Sequence, residues 1–212
     1  MINDGRSLYF SYAERLKQPG ELVPVITSFF HEDATINIVH PFNQINGPKG
    51  YLEHFLLPLQ DSLKGLYRRD DIVMLGEFEG NKWISSTGYY VGQFTKDWVG
   101  IKASGNLSYL RYGEFHRIGN DRAVESYIFL DIPELMIACN QWPLDIGPGH
   151  SRGYTGLIQG PASHDGVLKQ NCDPKEGKLS YQIVTDMLSN LATKDEAWRP
   201  YWHKNMMWYD IT

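Results

Sequence analysis

The sequence predicts an α+β domain, with N-terminal helices packed over the concave face of a curved, cone-shaped antiparallel sheet. Three observations predict it. Apolar and aromatic residues recur at helical spacing as far as Leu59, four long runs rich in Tyr, Val, Ile and Thr follow Arg69, and turn residues separate those runs. Helices followed by a meander of strands make an α+β arrangement.

From Gly5 to Lys17, the positions Leu8, Tyr9, Tyr12 and Leu16 form one helical stripe, which Pro19-Gly20 ends. Glu21 to Phe30 reads as a second short helix with Leu22, Val25, Ile26 and Phe29 on one face. Ala34 to Val39 alternates Ile36 and Ile38 against Thr35 and Asn37, as a half-buried strand does, and His40-Pro41 ends it because proline cannot donate to a ladder. The Asn46-Gly47-Pro48 turn opens a third helix, with Tyr51, Leu52, Phe55, Leu56 and Leu59 facing inwards and Pro58 breaking or kinking it.

Strands are expected over Ile72 to Phe78, Lys82 to Phe94, Gly105 to Arg117 and Ala123 to Asp131, divided by Glu79-Gly80-Asn81, Lys96-Asp97 and Gly119-Asn120-Asp121. Gly88, Gly92, Gly105 and Gly113 suit a sheet that must bend. A bent sheet under helices encloses a cone-shaped cavity, the default place for a small molecule.

The 212 residues are 42% hydrophobic and 21% charged, enough for one good core and an appendage. A net charge of −5 gives no footprint for nucleic acid, and the tight basic pair Arg68-Arg69 is followed at once by Asp70-Asp71. No run is long enough to span a membrane and no leader precedes the first helix, so a cytoplasmic protein is expected. Cys139 and Cys172 lie far apart, and the histidines show neither HxxxH nor HExxH spacing. Neither a metal nor a cofactor is called for.

Phe29-Phe30-His31 and the strand-like run after it recur as Tyr201-Trp202-His203 and its sequel. At the same offset Tyr9 falls on Tyr181, Leu16 on Leu188, and Val25/Ile26 on Ala197/Trp198. A fixed offset is the mark of duplication. The expected layout is therefore a cone-shaped domain over 1–145, a linker over 146–177, and the helical start of a truncated second copy over 178–212. Ile183, Val184, Met187, Leu188, Leu191, Trp198 and Trp202 then lack a sheet of their own, and apolar faces of that size need a host. A homodimer or higher homo-oligomer, or packing on the first domain's sheet, would supply one. His203 is the echo of His31.

Several motifs carry a family resemblance: Asn37-Ile38-Val39-His40-Pro41-Phe42, Gly47-Pro48, Pro58-Leu59, Arg68-Arg69-Asp70, Arg111-Tyr112-Gly113-Glu114-Phe115, Glu125-Ser126-Tyr127, Leu130-Asp131-Ile132-Pro133-Glu134-Leu135-Met136 and Trp142-Pro143-Leu144. Over about residues 5 to 145 the chain resembles the SnoaL-like polyketide cyclases, which share the fold of nuclear transport factor 2 and ketosteroid isomerase. A longer subgroup carries two such domains in tandem. The resemblance implies cofactor-independent acid/base chemistry, an intramolecular aldol closure, with Asp131 in the catalytic position. The chain departs from the pattern at Ala138, where short cyclases place a glutamine; here Gln141 comes later.

Alternation puts Glu125, Tyr127, Phe129 and Asp131 on one face of their strand and Val124, Ser126, Ile128 and Leu130 on the other. In a partly apolar pocket the Asp131 carboxylate would have the raised pKa a general base needs; it is equally suited to cap the helix Pro133 to Cys139. His40, just past a cavity-lining strand, is a candidate oxyanion donor or a histidine bonded to nearby backbone. Candidate ligand-binding residues are Asn37, Arg111, Tyr127, Tyr12 and Trp83, with Tyr9, Tyr89 and Phe94 as further lining aromatics. The strand register decides whether Arg111 or Tyr112 shares the face of Asp131, and a salt bridge to Glu125 or Glu114 is the structural alternative for Arg111.

The expected function is a cofactor-independent cyclase or isomerase acting on a small, apolar, carbonyl-bearing ligand. The alternative is a noncatalytic small-molecule-binding or assembly domain of the same fold.

Overall fold

A computed structural model of the chain describes residues 5–16, 22–144, 166–167, 173–191 and 197–205. The chain divides into two units, Met1–Leu168 and Lys169–Thr212.

In the first unit, α1 (Arg6–Leu16) buries Tyr9, Phe10, Tyr12, Ala13 and Leu16, and α2 (Leu22–Phe29) buries Leu22, Val25, Ile26 and Phe29. These are the stripes that the 3.6-residue period selects. Strand β1 (Phe30–Ile38) follows α2 directly, and β2 (Asn43–Asn46) folds back on it. β1 begins four residues before the alternation becomes regular, because a register shift between Phe30 and Thr35 interrupts the pattern. β2 is polar apart from the inward Ile45 and carries no strand signal of its own.

α3 (Gly47–Tyr51) runs through a π turn at Leu52–Leu56 into α4 (Leu57–Ser62). The wide turn is how the helix passes Pro58, which has no N–H to give: the Leu57 N–H reaches back five residues to the Leu52 carbonyl.

The meander consists of β3 (Leu63–Phe78), β4 (Asn81–Phe94), β5 (Leu107–Gly119) and β6 (Arg122–Leu130), and α5 (Ile132–Ala138) closes it. The sheet order is β2-β1-β6-β5-β4-β3, antiparallel except that β1 runs parallel to β6. β3 starts nine residues earlier than the alternation suggests, since two register shifts, Lys64/Tyr67 and Asp70/Ile72, disrupt its period of two. At the second bend a Cβ on Gly88 would collide with the Arg69 carbonyl oxygen, so only glycine lets β3 and β4 approach there.

Inward-facing residues alternate strictly: Ile84, Ser86 and Tyr90 on β4, Leu110, Tyr112, Glu114 and His116 on β5, Ser126, Ile128 and Leu130 on β6. Helices α1 to α4 cover this concave face. No helix among the described residues is long and apolar enough to cross a membrane.

In the second unit, α6 (Pro174–Asn190) is capped by Asp173, whose carboxylate accepts from the Lys175 N–H at 2.8 Å. Met187 is buried, its sulfur accepting from Trp202 Nε1 at 2.9 Å, and the rings of Trp198 and Trp202 lie 4.4 Å apart. Leu179, Tyr181, Ile183, Val184 and Leu188 are exposed. One local bond repeats at the offset of the sequence echo: the Asp33 N–H donates to His31 Nδ1 and the Asn205 N–H to His203 Nδ1, both at 3.2 Å. The expected second-copy strand beyond Asn205 and most of the linker lie outside the described residues.

Candidate functional site

The concave face gathers the charged side chains. Arg68 and Asp70 face inwards from β3, Glu114 and His116 from β5, and all are fully or almost fully buried. Arg68 Nη2 donates to Asp70 Oδ1 (3.0 Å), to the Tyr9 hydroxyl (2.8 Å) and to Glu114 Oε1. Tyr9 Oη is also 3.0 Å from Glu114 Oε1 and 2.5 Å from Ser86 Oγ, and the Tyr112 hydroxyl donates to Asp70 Oδ1 at 2.6 Å. The guanidinium lies between rings, 4.3 Å from the Tyr112 centroid and 5.5 Å from that of Tyr12.

Burial raises the pKa of Glu114, but the charge of Arg68 and, secondarily, His116 outweighs it, so the carboxyl stays well below the usual carboxylate range. Burial opposes the charge on Arg68, yet Glu114, Tyr112, Tyr9 and Asp70 together hold its pKa above the ordinary arginine value. Burial is the largest cause that pushes Tyr9 and Tyr112 well up, and Tyr90 up to about 12, with the nearby carboxylates raising them further and Arg68 opposing. His116 Nδ1 bonds Ser126 Oγ at 2.8 Å; its Nε2, buried, comes within 3.4 Å of Glu114 Oε1 without the geometry of a hydrogen bond. The interior is thus an ion cluster wrapped in aromatic rings.

Tyr12 belongs to this interior, stacked on Phe29 at 4.0 Å and 13°. Most of the other sequence-predicted residues do not. Ser126, Ile128 and Leu130 turn inwards, which sends Tyr127 and Phe129 to the convex, outer face of the sheet. Asn37 is opposite Tyr127 in the β1–β6 register, and its Nδ2 reaches the Ser126 carbonyl at 3.3 Å. Trp83 is outward too, its ring centroid 6.3 Å from that of Tyr127, and its buried indole N–H has no acceptor among the described residues.

The register also decides between Arg111 and Tyr112: Tyr112 points in, and Arg111 points out, opposite Asp131, whose N–H donates to the Arg111 carbonyl at 2.9 Å. Neither expected salt bridge of Arg111 forms, because Glu114 is taken by Arg68 and Glu125 by Arg117 at 2.7 Å; Arg111 Nη1 is buried without a hydrogen-bond partner among the described residues. Asp131 is half-buried and caps α5, Oδ1 accepting from the Glu134 N–H at 3.1 Å. His40 is exposed at the β1–β2 connection. The structure brings Trp83, Tyr127, Asn37, Arg111 and Asp131 to one side of the sheet, and leaves His40 solvent-facing.

On that side lies an apolar groove of about 530 Å³, lined by Met74, Phe78, Trp83, Phe115, Tyr127 and Phe129 among others. Its rings stand well out, with Phe129 53% and Phe115 43% exposed.

No protein-family model matches the chain, and no curated protein matches it. Solved structures do. A proposed SnoaL-like polyketide cyclase from Jannaschia sp. CCS1 superposes with a TM-score of 0.54 at 12% identity, covering 67% of this chain and 94% of that one. TsrD from Streptomyces laurentii gives 0.54 at 12% identity, covering 66% and 98%. An NTF2-like protein of unknown function from Burkholderia pseudomallei gives 0.51 at 13% identity, covering 64% and 97%. At such identities the likeness speaks for the fold, and the first unit has the cone-shaped α+β fold of the SnoaL-like and NTF2-like proteins.

Proposed function

We propose that this chain is a binding domain of the SnoaL-like fold whose working surface is the outer face of the sheet, the cone serving as a scaffold. One observation carries the reading: the Arg68 cluster and its rings occupy the concave side of the sheet, while an apolar groove is open on the opposite face. A fold does not fix a function; the groove and its lining residues are what argue here.

Its test is binding of an apolar fluorescent dye such as anilinonaphthalene sulfonate. Saturable binding that Phe129→Glu or Phe115→Glu abolishes, and Asp131→Asn leaves alone, is the expected result. Binding indifferent to both face substitutions would end this reading.

A second reading, acid/base catalysis at Asp131 in a cofactor-independent cyclase or isomerase, is favoured by a specific pair of groups. Asp131 uses only Oδ1 in its cap, and across from it Arg111 carries a buried nitrogen with no partner among the described residues. A carbonyl-bearing ligand lying against β5 and β6 would meet a cation and a carboxylate together. Co-purified ligand, sought by native mass spectrometry and lost in Asp131→Asn, would move the assignment to this reading.

A further inference from the structure

We infer that the outer edge of β3, from Met74 to Phe78, is a docking edge for an extended polypeptide strand with alternating apolar side chains and one lysine or arginine. The inference rests on the binding reading above and names its partner class.

β3 is the last strand of the sheet. In its pairing with β4, Val73 faces Ser86, Leu75 faces Ile84 and Glu77 faces Lys82. The Val73 N–H does not enter that ladder; it donates outwards, to the Gly166 carbonyl at 2.7 Å. Antiparallel pairs alternate in this respect, so Leu75 and Glu77, two and four residues on with no further register shift, present their N–H and C=O groups to the same outer edge. Among the described residues none of these backbone groups has a partner. The edge therefore already gives one hydrogen bond to a backbone carbonyl at Val73, and the next two steps of the same ladder have no partner among the described residues.

Beside the vacant steps is the groove. Met74 and Phe78 stand on its rim, 59% and 61% exposed, and a Cβ built on Gly76 between them meets nothing within 4 Å. A strand laid along Leu75 to Glu77 would put every second side chain beside Met74 and Phe78, on the rim of the groove. Its intervening side chains would pass Glu77 on the other face, with Glu79 at the hairpin turn; Lys82 opposite Glu77 offsets one of the two exposed carboxylates, and the net negative charge left there favours a cation on the added strand. Long, apolar, unprotected edges are rare in proteins that do not use them, because they invite strand addition.

The experiment is titration of the full chain with fluorescent nonapeptides in which valine or phenylalanine alternates with threonine, one threonine being replaced by lysine or by glutamate. Expected are saturable binding, at least tenfold tighter for the lysine set than for the glutamate set, and loss of at least tenfold in Leu75→Pro. That substitution removes an edge N–H the β3–β4 ladder does not use; because the Leu75 side chain also packs on the core, a circular dichroism spectrum matching the parent is the condition for reading its effect as loss of the edge, and the peptide control carries the test where the fold is lost. A second control keeps the protein intact: peptides N-methylated on one edge should fail to bind.

Binding that survives both Leu75→Pro and N-methylation would overturn the inference. So would self-association of the parent that Leu75→Pro abolishes, which would give the edge to a second copy of this chain. No peptide binding while the dye still binds the face would sink the strand partner and spare the binding reading; loss of both would sink the two together.

Discussion

The guanidinium of Arg68 lies 4.3 Å from the ring centre of Tyr112, and both side chains are buried. The ring's hydroxyl bonds Asp70, the same carboxylate that Arg68 holds. Cation, ring and carboxylate thus form one closed unit that ties β3 to β5 across β4.

Removing the cation from that unit leaves Asp70 and Glu114 buried without it. Arg68→Met should cost about 3–5 kcal/mol, the range for breaking a buried ion pair from one side. Urea unfolding measures it, and a loss under about 1 kcal/mol would mean the cluster is hydrated and weakly coupled.

Acid should act on the same cluster. Glu114 is held below its ordinary value of 4.5 by Arg68 and His116 against the effect of burial. A depressed folded pKa contributes stability that is complete above the unfolded value and lost as pH falls through the folded one. The melting temperature is therefore expected to fall as pH drops below about 4.5, and Glu114→Gln should flatten that fall while lowering stability near neutrality. Parallel curves for parent and variant would assign the acid sensitivity to other carboxylates.

Two tyrosines of α1 separate hydroxyl from ring. Tyr9 Oη is shared among Arg68, Asp70, Ser86 and Glu114, whereas Tyr12 Oη has a single long contact among the described residues, 3.4 Å to Tyr51. Tyr9→Phe should cost about 1–3 kcal/mol because it strips a partner from buried charged groups, and Tyr12→Phe under about 1. Equal losses would show that ring packing, not the hydroxyl, holds α1 on the sheet.

How much of this was legible in the sequence depends on which signal each part left. The helices and the last three strands were readable because their periods are clean; the start of β3 was not, because its bulges erase alternation. Strand alternation correctly grouped Asp131 with Tyr127 and Phe129, yet could not say which face was inside, since Ser126 opposite them is polar and Phe129 beside them is not. The ion cluster had a readable trace in Arg68/Asp70 and Tyr112/Glu114/His116, pairs at a spacing of two. Charged residues at that spacing usually mark a solvated face, and only the overlying Tyr9 and Tyr12 make this one an interior.

The bend at Gly88 gives a comparison between two glycines on adjacent strands. A Cβ at Gly88 would strike the Arg69 carbonyl oxygen, while one at Gly113 meets nothing within 4 Å. Gly88→Ala should lose about 1–3 kcal/mol through overpacking, with Gly113→Ala near neutral. Similar small effects at both would imply that β3 shifts freely at its bulge, and the placement of Arg68 and Asp70 would then tolerate a loose strand.

Asp131 can be separated into its two roles by one conservative change. Its carboxylate caps α5 through the Glu134 N–H, and asparagine caps about as well as aspartate, so Asp131→Asn should keep stability within about 0.5 kcal/mol while Asp131→Ala loses about 1 kcal/mol. Any ligand turnover or proton exchange that disappears in Asp131→Asn at unchanged melting temperature would therefore report the carboxylate as an acid/base group. If Asn and Ala differ only in stability and neither alters ligand chemistry, the residue is a cap. The outer groove, with Trp83 and Tyr127 at its wall, then stands as the site of binding alone.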